Sequence, residues 1–408
     1  MKILVIGLGQ CGGRIADEFS RLNARARRQR RLEIITGTYA ISTNANELAD
    51  LDYVKADYHH RILIGAEQVR GQGVGGVNEL GAQLALEHAD SITEGIREAK
   101  EFFTTDAIFV IGATSGGTGS GALPVITRQV KKRFPDVKAI AMAVLPYESE
   151  EQQDEKAVYN TAVCLKSVAS VADAVFLYDN EVYADENYPE GDFTAINRGI
   201  VEPFYNLLSA GAEKRKKHIG SKLLDAGDIF QTLGGWTVMG SGRIDRPSLS
   251  FSSLFAGSPG TEDSGINRGI RAMDEAIGEV SRLCDPSDAA RALYLISAPA
   301  REINMELIKG LADYLKSTVP NAVIRSGDYP IERTAMEVTV IVSRLGDVPR
   351  VRDFYTRSAA ATGEKKSAER PRTSKKSAPP SIEINYHDSD DFPPLTSIDD
   401  SSTPPMSS

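Results

Sequence analysis

The 408-residue chain reads as an α/β protein: a doubly wound, mostly parallel sheet domain, a long central helix, a second α+β domain and a disordered C-terminal tail. Three observations predict it. Short apolar runs alternate with stretches of helical period from Met1 to about Tyr178. Three of these runs end in glycine-rich loops that hand over to a helix. A long helical pattern, Asp192–Arg215, then separates this half from a second set of strands and helices. The boundaries drawn are 1–190, 191–218, 219–350 and 351–408.

Met1–Gly7 is a buried strand, and Gly7-Leu8-Gly9-Gln10-Cys11-Gly12-Gly13 follows at once, a G-x-G-x-x-G opening a helix in the Rossmann-like manner. A dinucleotide site also wants a carboxylate after the second strand. Ile34–Ile41 runs instead into Ser42-Thr43-Asn44-Ala45-Asn46, which weakens that reading. Between them lies Arg21–Arg31, with six arginines and no acid, either a solvated helix end or a contact for an acidic partner. Arg61–Ile64 is a short strand, leading through Gly73-Val74-Gly75-Gly76-Val77-Asn78 into a helix over Glu79–Ala89. Ile108–Val125 holds the third loop, Ser115-Gly116-Gly117-Thr118-Gly119-Ser120-Gly121. Glycines there admit backbone N–H groups to phosphate oxygens, the helix N-terminus adds positive potential, and the hydroxyls of Thr114, Ser115, Thr118 and Ser120 can donate to the same oxygens. Three such loops suggest one phosphate chain enclosed from several sides, while G-x-x-x-x-G-K-[ST] occurs nowhere, which excludes a Walker-type NTPase.

Ala139–Leu145 is a buried strand ending at Pro146-Tyr147-Glu148-Ser149-Glu150-Glu151, where carboxylates can accept bonds from ribose hydroxyls. The helix Asp154–Val171, the strand Ala174–Tyr178 and Asp179-Asn180-Glu181 follow. In Asp192–Arg215 the residues Phe193, Ile196, Ile200, Phe204, Leu207 and Leu208 form one apolar stripe, and Pro203 predicts a bend or break. Phe193 and Asn197 share a face at i, i+4, either as a ring and amide for a base or as a core ring beside a surface amide. Asp225 and Asp228 stand at a helix start, where carboxylates cap N–H groups. Strands at Thr237–Ser241, Ala292–Ser297, Ala322–Ser326 and Met336–Ser343, with helices at Glu262–Cys284 and Glu302–Thr318, make a second domain with its own core.

Composition narrows the class. A net charge of −9 argues against nucleic-acid binding by bulk positive charge. Cys11, Cys164 and Cys284 are too few and too scattered for a disulfide framework or a metal cluster, so a reducing cytoplasm fits. Ile3–Ile6 is too short for a signal core or membrane span. From Arg357 onward order is expected to end: Arg357–Lys376 holds seven bases and two acids, Ser377–Ser408 six acids and no Lys or Arg. Its apolar knot, Phe392-Pro393-Pro394-Leu395, reads as a linear peptide for a protein partner.

Together these residues resemble the tubulin/FtsZ superfamily, most closely its archaeal tubulin-like CetZ branch, nearly collinearly from Met1 to about Leu345. Gly116–Gly121 is similar to the signature loop around the phosphates, and Gly9-Gln10-Cys11-Gly12 and Gly73–Gly81 are similar to the CetZ forms of their loops. The resemblance implies a GTPase domain binding GTP and GDP with Mg²⁺. It places Glu150 at the ribose, Asn180 and Asn197 on guanine, Phe193 stacked on the base, and Asn44, Gly75, Gly76, Asn78 and Ser115 among the phosphate loops. Leu224-Asp225-Ala226-Gly227-Asp228 falls on the loop that in this family enters the next subunit's site, so Asp225 and Asp228 would act in trans within a head-to-tail homopolymer serving cell shape or cell division. Departures are Ser115 before the paired glycines, Asn44 where Asp is frequent, and Leu223 where FtsZ has Asn. Two rivals stand beside this reading: a GTP-binding scaffold with little hydrolysis, and a Rossmann NAD(P) enzyme resting on the first glycine loop alone.

Overall fold

The computed structural model describes residues 1–183, 193–213, 220, 222, 224–245, 265–332 and 335–368. The Phe392–Leu395 knot, Leu223 and the basic run 214–217 lie outside the described residues. The chain runs β1 (Ile3–Leu8), α1 (Gly9–Arg30), β2 (Ile35–Ser42), α2 (Ala45–Ala49), β3 (Arg61–Leu63), α3 (Ala66–Val69), α4 (Asn78–Arg97), β4 (Ala107–Ala113) and α5 (Gly117–Arg133). It continues through β5 (Lys138–Leu145), α6 (Glu148–Gln153), α7 (Glu155–Val171), β6 (Ala174–Asp179), α8 (Asn180–Tyr183), α9 (Phe193–Val201) and α10 (Phe204–Ala212). The remaining elements are α11 (Ala226–Thr232), β7 (Gly235–Ile244), α12 (Gly265–Ser281), β8 (Arg291–Ala298), α13 (Met305–Thr318), β9 (Val323–Pro330), β10 (Met336–Leu345) and α14 (Pro349–Ala368).

All ten strands form one sheet in the order β3-β2-β1-β4-β5-β6-β7-β10-β8-β9. The first six are parallel, and the order reverses between β1 and β4, the switch point at which doubly wound sheets open a crevice at their carboxyl ends. Strand β7 joins β6 in parallel over Ala174–Phe176 and then pairs antiparallel with β10, so the second half extends the same sheet. The expectation of a separate second core is corrected. Successive β1 residues point to opposite faces, and each face carries one apolar layer running across both halves. Leu4 and Ile6 share a layer with Val338 and Val340, while Ile3 and Val5 share the other with Leu293 and Ile341.

Pro203 breaks the central helix as its missing N–H requires: α9 stops at Val201 and α10 restarts at Phe204, with Pro203 at the N-cap. The two pieces face different tasks. Phe204 on α10 is fully buried, its ring 5.4–5.7 Å from those of Phe19, Phe109 and Phe176, which fixes α10 against α1 and the sheet. Helix α9 instead reaches the carboxyl end of the sheet.

Order does not end at residue 351. Helix α14 runs to Ala368 and packs on α7, burying Val351 and Phe354. Their i, i+3 spacing is an apolar stripe inside an arginine-rich stretch, and charge composition concealed it.

Candidate nucleotide site

Two helix N-termini meet at the switch point. Helix α1 starts at Gly9 and α5 at Gly117; neither has a side-chain cap or an acidic residue in its first turn. Their free N–H groups and positive dipole ends therefore remain available to an anion. A cavity of about 380 Å³ opens above them. It is lined by Gly9, Gln10 and Cys11 from the first loop, by Ser115–Gly119 from the third, by Pro146 and Glu150 after β5, by Asn180 after β6, and by Phe193 and Asn197 of α9. The arrangement of a core ring beside a surface amide does not hold: Phe193 is 44% exposed at the rim, while Asn197 is buried. A ring and an amide that share a wall can take the face and the edge of one base.

Seven of the expected contact residues do not line this cavity. A Cβ on Gly12 would collide with the Ile111 carbonyl, so this glycine lets α1 approach β4, and Gly13 is buried against Ala40 and Leu51. The Asn44 side chain accepts from the Asn46 N–H at 3.0 Å, capping α2. Gly75 and Gly76 hold φ of +60° and +76° in a loop that packs over Gly117, and Asn78 is buried at the start of α4. The Ser120 hydroxyl donates to the Gly116 carbonyl.

The hydroxyl expectation is corrected in part. Thr114 donates to Val144 O at 3.1 Å, so it serves the scaffold rather than a ligand. Ser115 donates to Glu150 Oε2 at 3.0 Å and Thr118 shares a 2.7 Å hydrogen bond with Thr43, and these two do line the cavity. The bond to Thr43 ties the second loop to the third. Gly73 N donates to Thr43 O at 3.0 Å, which joins the glycine loop before α4 to the same frame.

Three residues were missed. Arg14, one turn into α1, and Glu47 of α2 line the cavity. Asn160 on α7 is buried, and its Nδ2 donates to Gly76 O at 2.9 Å and to Ser115 O at 2.8 Å, stapling two loops together. Nothing in a helical Asn announces two carbonyls more than 40 residues away. Asn160→Ala leaves both carbonyls without this partner. The expected result is a loss of about 1–3 kcal/mol in stability, read by urea unfolding, together with weaker nucleotide binding by calorimetry. Burial, then Glu150, push the Cys11 thiol up to about 12.

Asp225 and Asp228 lie elsewhere. Asp225 caps α11, its Oδ1 accepting from Asp228 N at 2.8 Å, and Asp228 sits 3.5 Å from Arg325 Nε. Asp225 is near the Met1 ammonium, which burial lowers to about 6 against the opposing pull of Asp106 and Asp225. That is the amino end of β1, while the cavity is at its carboxyl end. Six residues of strand separate the two by about 20 Å.

Uncapped helix starts at the carboxyl end of a doubly wound sheet, with a ring at the rim and a buried amide on the same wall, are the parts of a nucleotide-binding α/β protein. The comparisons say which kind. Residues 2–186 match the Tubulin/FtsZ family GTPase domain and residues 186–360 the C-terminal domain of tubulin-like CetZ. The tubulin-like protein CetZ5 of Haloferax volcanii is 30% identical over 91% of this chain and 94% of its own. Among solved structures, the GDP-bound monomer of CetZ1 from Haloferax volcanii is 25% identical with a TM-score of 0.72, covering 88% of this chain and 99% of its own. The GTPγS-bound protofilament of CetZ2 from the same organism is 25% identical with a TM-score of 0.73, covering 90% and 100%. The chain belongs to the tubulin/FtsZ superfamily of cytoskeletal GTPases, in its tubulin-like CetZ branch. The NAD(P) enzyme reading falls with that.

Proposed function

We propose that this protein binds GTP in the cavity above α1 and α5, assembles head-to-tail, and hydrolyses GTP only where a second subunit completes the site. The observation that carries this reading is the placement of Asp225 and Asp228 at the end of the sheet opposite the cavity. Within one chain they cannot reach a bound nucleotide; on a neighbour stacked amino end to carboxyl end, they would face it. Such a heterologous contact does not close, and filaments follow. The relatives' GDP-bound monomer and GTPγS-bound protofilament support both the ligand and the stacking.

The α1 and α5 N-termini would hold the phosphates, Glu150 the ribose, Phe193 the face of guanine, and Asn180 and Asn197 its edge. Guanine offers a carbonyl acceptor beside N–H donors, and an amide can answer both. Mg²⁺ fits as a partner of the phosphates, since it keeps few protein ligands. No group of three His, Cys, Asp or Glu side chains suited to a metal exists among the described residues; Glu47 and Glu150 both line the cavity, and Glu150 accepts from Ser115 just before the α5 start. The ion would neutralise charge on the phosphates. Asp225 of the adjoining subunit would orient a water for in-line attack on the γ-phosphorus and take its proton. The bond to the β–γ bridging oxygen breaks, leaving GDP and phosphate.

We place the protein in the cytoplasm, in cell shape or cell division, with Phe392–Leu395 as a peptide for a protein partner. Three unpaired thiols support the compartment. No helix among the described residues is long and apolar enough to cross a membrane. The test of the split site is phosphate release per protomer as protein concentration rises. Specific activity climbs from near zero in step with assembly seen by pelleting; activity independent of concentration contradicts the proposal, and assembly without phosphate release favours the scaffold reading.

A further inference from the structure

We propose that Arg350 is a positioning residue for the nucleotide site, through which helix α14 sets nucleotide affinity from outside the cavity. This rests on the nucleotide reading above. The Arg350 guanidinium spans the ends of two neighbouring strands. Its Nε donates to Asp179 Oδ2 at 3.0 Å, and its Nη2 donates to the Pro146 carbonyl at 3.3 Å and to Glu151 Oε1. One turn pair further on, Arg357 donates to the other oxygen of Glu151. Each of these partners lies on, or one residue from, a group that lines the cavity: Pro146 itself, Glu150 before Glu151, and Asn180 after Asp179.

The contacts continue inward. Asp179 Oδ1 accepts from Glu181 N at 3.0 Å, which fixes the first turn of α8 where Asn180 sits. Glu181 Oε2 in turn accepts from Glu148 N at 3.1 Å, tying that turn to α6, which carries Glu150. Asp179 and Glu151 are 5% and 3% exposed, so neither carboxylate can exchange the guanidinium for water without opening the loops. A planar fork with donors on two edges is what holds both at once. Lysine keeps the charge but offers a single point, so Arg350→Lys removes the geometry and leaves the neutralisation.

Linkage makes the effect reciprocal: if α14 positions the site, bound nucleotide must steady α14.

The test uses the full chain and a fluorescent GDP analogue. Arg350→Lys is expected to melt below wild type, because one buried carboxylate loses its partner, and, at temperatures where it is fully folded, to bind the analogue about tenfold or more weakly. Arg352→Lys, on the same helix with an exposed ion pair to Asp347, retains wild-type affinity. In hydrogen exchange, GDP slows amides 350–361 of the wild type and not of Arg350→Lys. Wild-type affinity in Arg350→Lys overturns the proposal, as does exchange in α14 that ignores GDP in the wild type. A lower melting point with unchanged affinity assigns Arg350 to stability alone. A wild-type protein that binds no GDP analogue overturns the nucleotide reading itself.

Discussion

Asp225→Asn lowers steady-state GTP hydrolysis by about 100-fold or more while GTP affinity and assembly remain those of the wild type. Two properties of this residue set the expectation. Its carboxylate is exposed at the amino end of the sheet and touches no part of its own cavity. It also caps α11, and that second role is why Asn is the informative replacement. An Asn Oδ1 can still accept from Asp228 N, so the helix keeps its start while the charge is lost. Asp225→Ala loses both, and its additional cost of about 1 kcal/mol in stability measures the cap by difference. Steady-state phosphate release with radiolabelled GTP, beside filter binding at the same protein concentration, checks the split between chemistry and binding. Equal losses of binding and turnover would make Asp225 a structural residue.

Asn197→Leu weakens GTP binding by roughly 10- to 100-fold, the equivalent of about 1–3 kcal/mol for a base edge left without its partner. The replacement is close in size and the position is buried, so packing of α9 changes little. What disappears is a donor and an acceptor on one side chain. Binding of ATP, which presents the opposite pattern on its exocyclic edge, should be nearly unaffected, so the ratio of GTP to ATP affinity falls by the same factor. Phe193→Leu, by contrast, should weaken both nucleotides together, because a ring face is indifferent to the base it stacks on. Competition calorimetry reads all three. A GTP to ATP ratio unchanged by Asn197→Leu would remove Asn197 from base recognition.

What could be read from residues alone followed the range of the interaction involved. The loops at Gly9, Gly75 and Gly116 announced themselves because backbone approach demands glycine at the site itself. The break at Pro203 is local for the same reason. Phe193 and Asn197 shared a face by helical period, though only the fold showed that the face meets the crevice. Spacing did not show the packing roles in these loops: Gly12, in the same motif as Gly9, lets α1 approach β4, and the Asn44 side chain caps a helix.

Long-range partners were invisible. Asn160, Arg14 and Glu47 belong to unremarkable helices, and Arg350 meets Asp179 across 171 positions of chain. The joining of the two halves into one sheet was equally hidden, since three paired residues between β6 and β7 accomplish it. Net charge misled at α14, where Val351 and Phe354 carried the helical signal among arginines.

One titration reaches the split site most directly. Asp225→Asn protein is mixed with wild type at fixed total concentration, above that needed for assembly, and phosphate release is followed against the wild-type fraction. Every pocket in the mixture is intact, since the substitution leaves it untouched. If catalysis needs only a neighbour's Asp225, half wild type gives half the activity when each pocket meets a random neighbour, which a site within one chain would give as well. The mixture therefore carries a second substitution in the same mutant chain, Asn197→Leu, at GTP concentrations that fill only wild-type pockets. Activity then needs a wild-type pocket facing a wild-type Asp225, and head-to-tail stacking predicts about a quarter of full activity at half wild type. A fall to only a half, in simple proportion to the wild-type fraction, would show that each subunit hydrolyses GTP by itself.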